Sequence, residues 1–80
     1  MQIGTARGAM RELAKAFLAQ GKTVRAAALM IKLIKSEPTP ENLELLAEIY
    51  MQQGLHDDAA LLYLRVVKMS LRMESLGWEA

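Results

Sequence analysis

The sequence predicts an all-α fold, built as two antiparallel helical hairpins with a C-terminal helical extension. Hydrophobic residues make up 52% of the chain and aromatic residues only 5%. The apolar residues are chiefly Leu, Ala and Met, which favour helices, whereas β-branched residues are few. A second observation is an internal repeat, in which residues 13–35 recur as residues 46–68. Together they indicate one all-helical unit that occurs twice.

The internal repeat keeps the order of its small, large and Gly positions. Phe17 becomes Tyr50, and Met30 becomes Tyr63. The identical pairs are Leu13/Leu46, Ala14/Ala47, Gln20/Gln53, Gly21/Gly54, Ala26/Ala59, Ala27/Ala60, Leu29/Leu62 and Lys35/Lys68. Since the small residues let paired helices approach and the large ones fill the space beside them, recurrence in register indicates a duplicated packing unit. We predict one domain over 1–80, with repeat 1 at about 7–38, repeat 2 at about 40–71 and an extension at 72–80.

The first unit is predicted to be a helical hairpin. Its first helix has apolar residues at the spacing of one helix face, namely Met10, Leu13, Ala14, Phe17 and Leu18. Gly21 is predicted to end this helix, because Gly readily adopts a left-handed conformation. Thr23 is predicted to cap a second helix over about Val24–Lys35, which Pro38 stops.

The second unit follows the same plan. Thr39, Pro40 and Glu41 supply a cap, a proline at the first helical position and an acid in the first turn. The third helix is predicted to reach about Gln53, Gly54 to form the corner, and a fourth helix to start at about Asp58. No proline closes this unit, so the last helix is expected to run past Leu71, to about Leu76.

The pattern of the second unit resembles the tetratricopeptide repeat. The matching positions are Leu46, Ala47, Tyr50, Gly54, Ala59 and Tyr63, with Pro38 closing the preceding unit. The first unit has Leu13, Ala14, Phe17, Gly21, Ala26 and Met30 at the same places. The resemblance covers roughly residues 8–71. The sequence departs from the family pattern where Met10 and Leu43 stand at the position that favours Trp, and where Leu71 replaces the second closing Pro.

The resemblance implies a non-catalytic protein-interaction module, an α-solenoid fragment whose first helix in each hairpin lines a concave groove. Repeat arrays generally need about three units for a stable stack, and here there are two. We therefore expect the chain to complete its fold in a homo- or hetero-oligomer. The candidate contacts are Leu71, Met73, Leu76 and Trp78. The alternative is that Trp78 folds back on its own last hairpin.

The resemblance also predicts which residues line the groove: Arg11, Lys15, Leu18 and Ala19 from the first helix, and Glu41, Glu44, Glu48, Met51 and Gln52 from the third. An apolar floor of Leu18 and Met51 between charged walls suits an amphipathic helix or peptide of a partner protein. Alternatively, the basic and acidic walls pair with each other, which contributes about 0–1 kcal/mol per exposed pair. The acids argue against the carboxylate-binding site that some members of the family have.

The chain also resembles, in its small size and its Met and Leu content, the cytoplasmic tetratricopeptide chaperones of bacterial type III secretion systems, some of which hold the C-terminal helix of the needle subunit. This resemblance implies a chaperone for an amphipathic helix. The alternative is a self-assembling structural unit. The location expected is the cytoplasm, since the chain has no Cys and no stretch of the length that a signal peptide or membrane span needs.

Other function classes find little support. The one His and its neighbours, His56, Asp57 and Asp58, are better explained as the start of a helix, where acids interact with free N–H groups, than as an active site or metal site. No enzyme activity, metal or cofactor is therefore predicted. A net charge of +1 and the lack of an aromatic stacking surface argue against nucleic acid, and no membrane partner is predicted.

Overall fold

Four helices form the fold: α1 (Ile3–Ala19), α2 (Thr23–Ser36), α3 (Pro40–Gln52) and α4 (His56–Glu79). This computed structural model describes residues 3–79, with the side chains of residues 8–72. Helix α1 packs on α2, α2 on α3, and α3 on α4. The described part of the chain has no strand. The prediction of an all-α fold of two stacked hairpins with a helical extension is confirmed.

Both hairpin corners have the same hydrogen-bonded turn. Gly21 and Gly54 have φ of 76° and 78°. In the first corner the Lys22 N–H donates to the Phe17 carbonyl at 2.8 Å, and in the second the Leu55 N–H donates to the Tyr50 carbonyl at 2.9 Å. Each Gly N–H bonds the carbonyl three residues earlier. This is the Schellman arrangement, which satisfies the last carbonyls of a helix and places a left-handed residue after it. The internal repeat therefore extends to backbone geometry.

Gly54→Ala is expected to lower the free energy of unfolding by about 1–2 kcal/mol, because a side chain in the left-handed region is strained by about that amount. A Cβ at Gly54 would meet no heavy atom within 4 Å, so the cost comes from the backbone alone. Urea unfolding followed by circular dichroism measures it. Gly8→Ala is the control, because Gly8 lies inside α1, where a Cβ also has open space and Ala is the better helix former. A Gly54→Ala protein as stable as the wild type would contradict the assignment of this turn.

The start of α3 is fixed by two polar contacts. The Thr39 hydroxyl accepts from the Asn42 N–H at 3.2 Å, and Pro40 occupies the first turn, so the predicted cap is confirmed. The side chain of Asn42 is buried and donates from Nδ2 to the Glu37 carbonyl at 2.9 Å. This bond ties α3 to the segment that leaves α2. The cap predicted at Thr23 is wrong: Thr23 is the first residue of α2, and the N-cap is Lys22, whose side chain makes no capping bond.

The core lies along the stacked faces of the helices. Its buried apolar residues are Ala14, Ala26, Ala27, Met30, Leu33, Leu43, Leu45, Leu46, Ala47, Ile49, Ala59, Leu62 and Val66. Most of α3's apolar residues are buried, because α3 packs against both α2 and α4. Of the large apolar side chains described on the end helices, Leu13 of α1 is exposed, as are five on α4: Leu61, Tyr63, Leu64, Val67 and Leu71. The core is therefore centred on α3, and both ends of the stack are open in the described part of the chain.

Helix α4 continues well beyond the second repeat. It begins at His56, two residues before the predicted start, and ends at Glu79, past the predicted end. Leu71, a predicted partner contact, is exposed on it. The other predicted contacts, Met73, Leu76 and Trp78, lie outside the residues whose side chains are described. Among the described residues, no helix combines the length and apolarity that crossing a membrane requires.

Candidate functional site

Two open cavities lie side by side along the groove between α1 and α3. They have volumes of about 360 and 380 Å³. Both are lined by Lys15 of α1 and by Leu45 and Glu48 of α3, so they form one continuous groove. We call this surface the α1–α3 groove, and its further lining residues are Arg11, Leu18, Ala19, Glu41, Glu44, Gln52 and Tyr63. Its length follows the helix axes, as a binding surface for an extended or helical segment requires.

The structure brings most of the predicted groove residues together, with one exception. Arg11, Lys15, Leu18, Glu44 and Glu48 all line the α1–α3 groove. Met51 lines neither cavity. Its sulfur lies 3.4 Å from Nδ1 of His56, at the second corner.

Met51 lies elsewhere because of the repeat itself. Leu18 and Met51 are equivalent positions, and equivalent residues of stacked units face the same direction. Leu18 therefore faces α3, whereas Met51 faces away from α1. A groove between neighbouring units is lined by one flank of the first helix and the opposite flank of the next. The prediction that both residues form one apolar floor overlooked this geometry.

Two groove residues were missed from the sequence. Leu45 is a buried core residue that also lines the groove, and it replaces Met51 as the apolar residue on the α3 side. Its signal was present, because Glu41, Leu45, Glu48 and Gln52 follow one helix face. Tyr63 of α4 lines the cavity beside Glu44. Its counterpart Met30 is fully buried, so the repeat predicted a packing role for Tyr63 and gave no signal of the groove.

The charged walls of the groove do not neutralise each other. Lys15 pairs with Glu12 of its own helix, Nζ to Oε2 at 3.2 Å, in an exposed i, i+3 arrangement. Within the described side chains, Arg11, Glu44 and Glu48 form no ion pair. The alternative prediction, pairing of Arg11 with Glu44 and of Lys15 with Glu48, is therefore not what the structure has. The acids of α3 remain available to a ligand.

Arg11 has one buried hydrogen-bond donor to account for. Its Nε is buried and has no hydrogen-bond partner among the described residues. A buried donor without a partner costs about 1–3 kcal/mol.

The cluster of His56, Asp57 and Asp58 lies at the start of α4, with both acids in its first turn. Carboxylates at this place interact favourably with the helix dipole. Among the described residues, no group of three or more His, Cys, Asp or Glu side chains is arranged to hold a metal ion. The position of the cluster agrees with its interpretation as a hairpin corner.

Comparison with known proteins gives the family of the chain. A family model described as "Tetratricopeptide repeat" matches residues 11–70, which include both hairpin corners and the α1–α3 groove. No curated protein and no solved structure matches the chain significantly. Repeats of this family generally mediate protein–protein interactions and are non-catalytic. The four helices, the repeated corners and the family match together show that the chain belongs to the tetratricopeptide repeat family.

Proposed function

We propose that the α1–α3 groove binds an amphipathic helix of a partner protein. The observation that carries the proposal is the arrangement of charge around an apolar floor. Leu18 and Leu45 supply the floor. The α3 wall has three acids at helical spacing, Glu41, Glu44 and Glu48, and the α1 wall has Arg11 and Lys15.

An amphipathic helix complements this groove in two ways. Its apolar stripe covers the floor, and the charged residues on either side of the stripe reach the two walls. Because one wall is acidic and the other basic, a helix with cations on one flank and anions on the other binds in one direction only. Charge complementarity of this kind contributes to specificity and to the association rate more than to affinity.

The same proposal extends to a chaperone role. A groove that covers the apolar stripe of a partner helix keeps that stripe from associating elsewhere, which is what a chaperone for a secreted or assembling subunit does. The unpaired acids of α3 support this version, because they hold a helix with basic residues beside its stripe. A needle subunit of a type III secretion system is one partner of this kind. This choice of partner rests on the resemblance of the chain to the chaperones of those secretion systems.

Three synthetic helical peptides test the binding mode. All carry the same Leu stripe at i, i+3, i+4 and i+7 spacing. The first has Lys on one flank and Glu on the other, the second has Lys on both flanks, and the third has Glu on both. We expect the mixed peptide to bind most tightly and the Glu peptide at least about tenfold more weakly, which corresponds to about 1.4 kcal/mol. Fluorescence anisotropy at low and high salt measures both affinity and its screening.

The outcome separates charge recognition from simple apolar contact. Added salt should reduce the difference between the peptides, because the walls are exposed to solvent. Equal affinity for all three peptides would contradict the role of the walls. If none of the three peptides bound, the result would contradict the helix-binding groove itself.

A further inference from the structure

The outward side of α4 exposes apolar residues at positions that are buried in α2. The internal repeat relates Ala60, Tyr63 and Val67 of α4 to Ala27, Met30 and Ile34 of α2. Ala27 and Met30 are buried, and Ile34 is partly buried. In α4 the same positions are exposed, with Tyr63 at 40% and Val67 at 52%. We call Ala60, Tyr63 and Val67 the outer face of α4.

The reason for the difference is the next helix. Helix α2 packs against α1 within its hairpin and against α3 of the following unit. Helix α4 packs against α3, and within the described residues no helix of a following unit lies against its outer face. The residues of α4 that pack within the hairpin, Ala59, Leu62 and Val66, are buried as expected. The outer face of α4 thus corresponds to the face of α2 that packs on α3, but among the described residues no helix packs on it.

Helix α1 likewise exposes residues whose counterparts in α3 are buried. Its Ala9, Leu13 and Ala16 are the repeat counterparts of Asn42, Leu46 and Ile49 in α3. All three residues of α3 are buried, whereas all three of α1 are exposed. Leu46 is 1% exposed and Leu13 is 46% exposed. We call Ala9, Leu13 and Ala16 the outer face of α1.

We propose that the outer face of α4 binds the outer face of α1 of a second copy of this chain. The contact repeats the α2–α3 interface between two chains, so that hairpins continue to stack in register. The described residues form two repeats, and repeats of this kind bury a continuous core by stacking on their neighbours. Two chains joined in this way provide four, with one continuous core. Because the two faces differ, the contact is heterologous and continues from chain to chain at high concentration.

Pairing of α4 with α4 of a second copy is the main competing arrangement, and it would leave the outer face of α1 exposed on both chains. An antiparallel two-fold pairing uses the same patch on both chains, so it buries only the outer face of α4, whereas the α4–α1 contact buries both outer faces.

Stacking also creates a second groove. In a joined pair, α3 of one chain and α1 of the next chain are neighbours in the way that α1 and α3 are within one chain. Glu44 and Met51 are the counterparts of Arg11 and Leu18. Met51, which lines neither cavity of the single chain, then has the place in the second groove that Leu18 has in the first.

Sedimentation velocity on the full chain over micromolar to millimolar concentration tests the contact. We expect the average mass to rise to at least twice that of the single chain. Leu13→Glu removes the outer face of α1, and Val67→Glu removes that of α4; each variant alone should remain monomeric. An equal mixture should form a dimer that does not grow, because one intact face of each kind remains. Leu61→Glu is the control: Leu61 is exposed on α4, and its counterpart Ala28 stays exposed in α2.

Three results would overturn the proposal. The first is a wild type that stays monomeric at all concentrations. The second is dimerisation of Leu13→Glu, which would indicate α4–α4 pairing. The third is a mixture of the two variants that does not associate. Far-UV circular dichroism confirms that each variant keeps its helices. If Val67→Glu loses them, Ala60→Glu replaces it, since Ala60 is the counterpart of buried Ala27. Leu13→Glu with the wild-type α4 face decides between the two arrangements in either case.

Discussion

Leu46→Ala is expected to lower the free energy of unfolding by about 2–5 kcal/mol, the range found when a buried Leu is truncated. Leu46 is almost fully buried in α3, between the two hairpins. The loss combines the transfer free energy of the removed atoms with the cavity left behind. For a chain of this length the total stability is about 4–12 kcal/mol. A large part of the folding free energy therefore depends on this one side chain.

Leu13→Ala is the matched control, because it makes the same chemical change at the equivalent position of the first repeat. Leu13 is half exposed, so we expect a change of less than about 1 kcal/mol. Urea unfolding at low micromolar concentration, where chains are separate, gives both values from the midpoint at constant slope. Equal losses for the two variants would show that the ends of the stack are as well packed as its centre, which contradicts the fold described above.

Leu18→Glu is expected to weaken binding of the mixed helical peptide by at least about tenfold, or about 1.4 kcal/mol. The change places a carboxylate on the apolar floor, beside Glu48 of the acidic wall. Peptide binding would then bury that charge against the apolar stripe of the peptide, which is costly. Leu18 is only partly buried, so the helices of the free protein should persist.

Met51→Glu is the control for this change. Met51 lies outside the cavities and is partly exposed, so we expect the affinity of the single chain for the mixed peptide to change less than about twofold. Anisotropy titrations at micromolar protein compare the two variants directly. If Met51→Glu weakened binding as much as Leu18→Glu, the peptide would lie across both flanks of α3, contrary to the groove assigned here.

The helices and corners were predictable because local sequence determines them. Gly21 and Gly54 end helices in left-handed conformations, and Thr39 with Pro40 begins α3. Each of these signals lies within a few residues of the structure it produces. The prediction of an N-cap at Thr23 was wrong because a residue with a capping hydroxyl can equally occupy the first turn of a helix. The length of α4 was underestimated, because no proline or glycine cap marks where it ends.

The candidate site was predictable only in part, because it depends on which flank of each helix meets its neighbour. Sequence periodicity placed Arg11 and Lys15 on one surface, and the structure agrees. Periodicity alone did not show that Met51 lies outside the α1–α3 groove, beside His56. The exposure of Tyr63 was equally hidden. The position of Tyr63 in the repeat predicts burial. Tyr63 is exposed because, among the described residues, no helix packs on it as α3 packs on Met30, and this depends on the arrangement of the whole stack.

The most direct test of the helix-binding groove is an amide chemical-shift titration of the labelled chain with the mixed peptide. At low micromolar to submillimolar concentration of the Val67→Glu chain, self-association does not interfere. We expect the largest shifts at Lys15, Leu18, Leu45 and Glu48, which line the shared part of the α1–α3 groove. Shifts confined to α2 or to Ala60 and Val67 of α4, with these four amides unchanged, would contradict it.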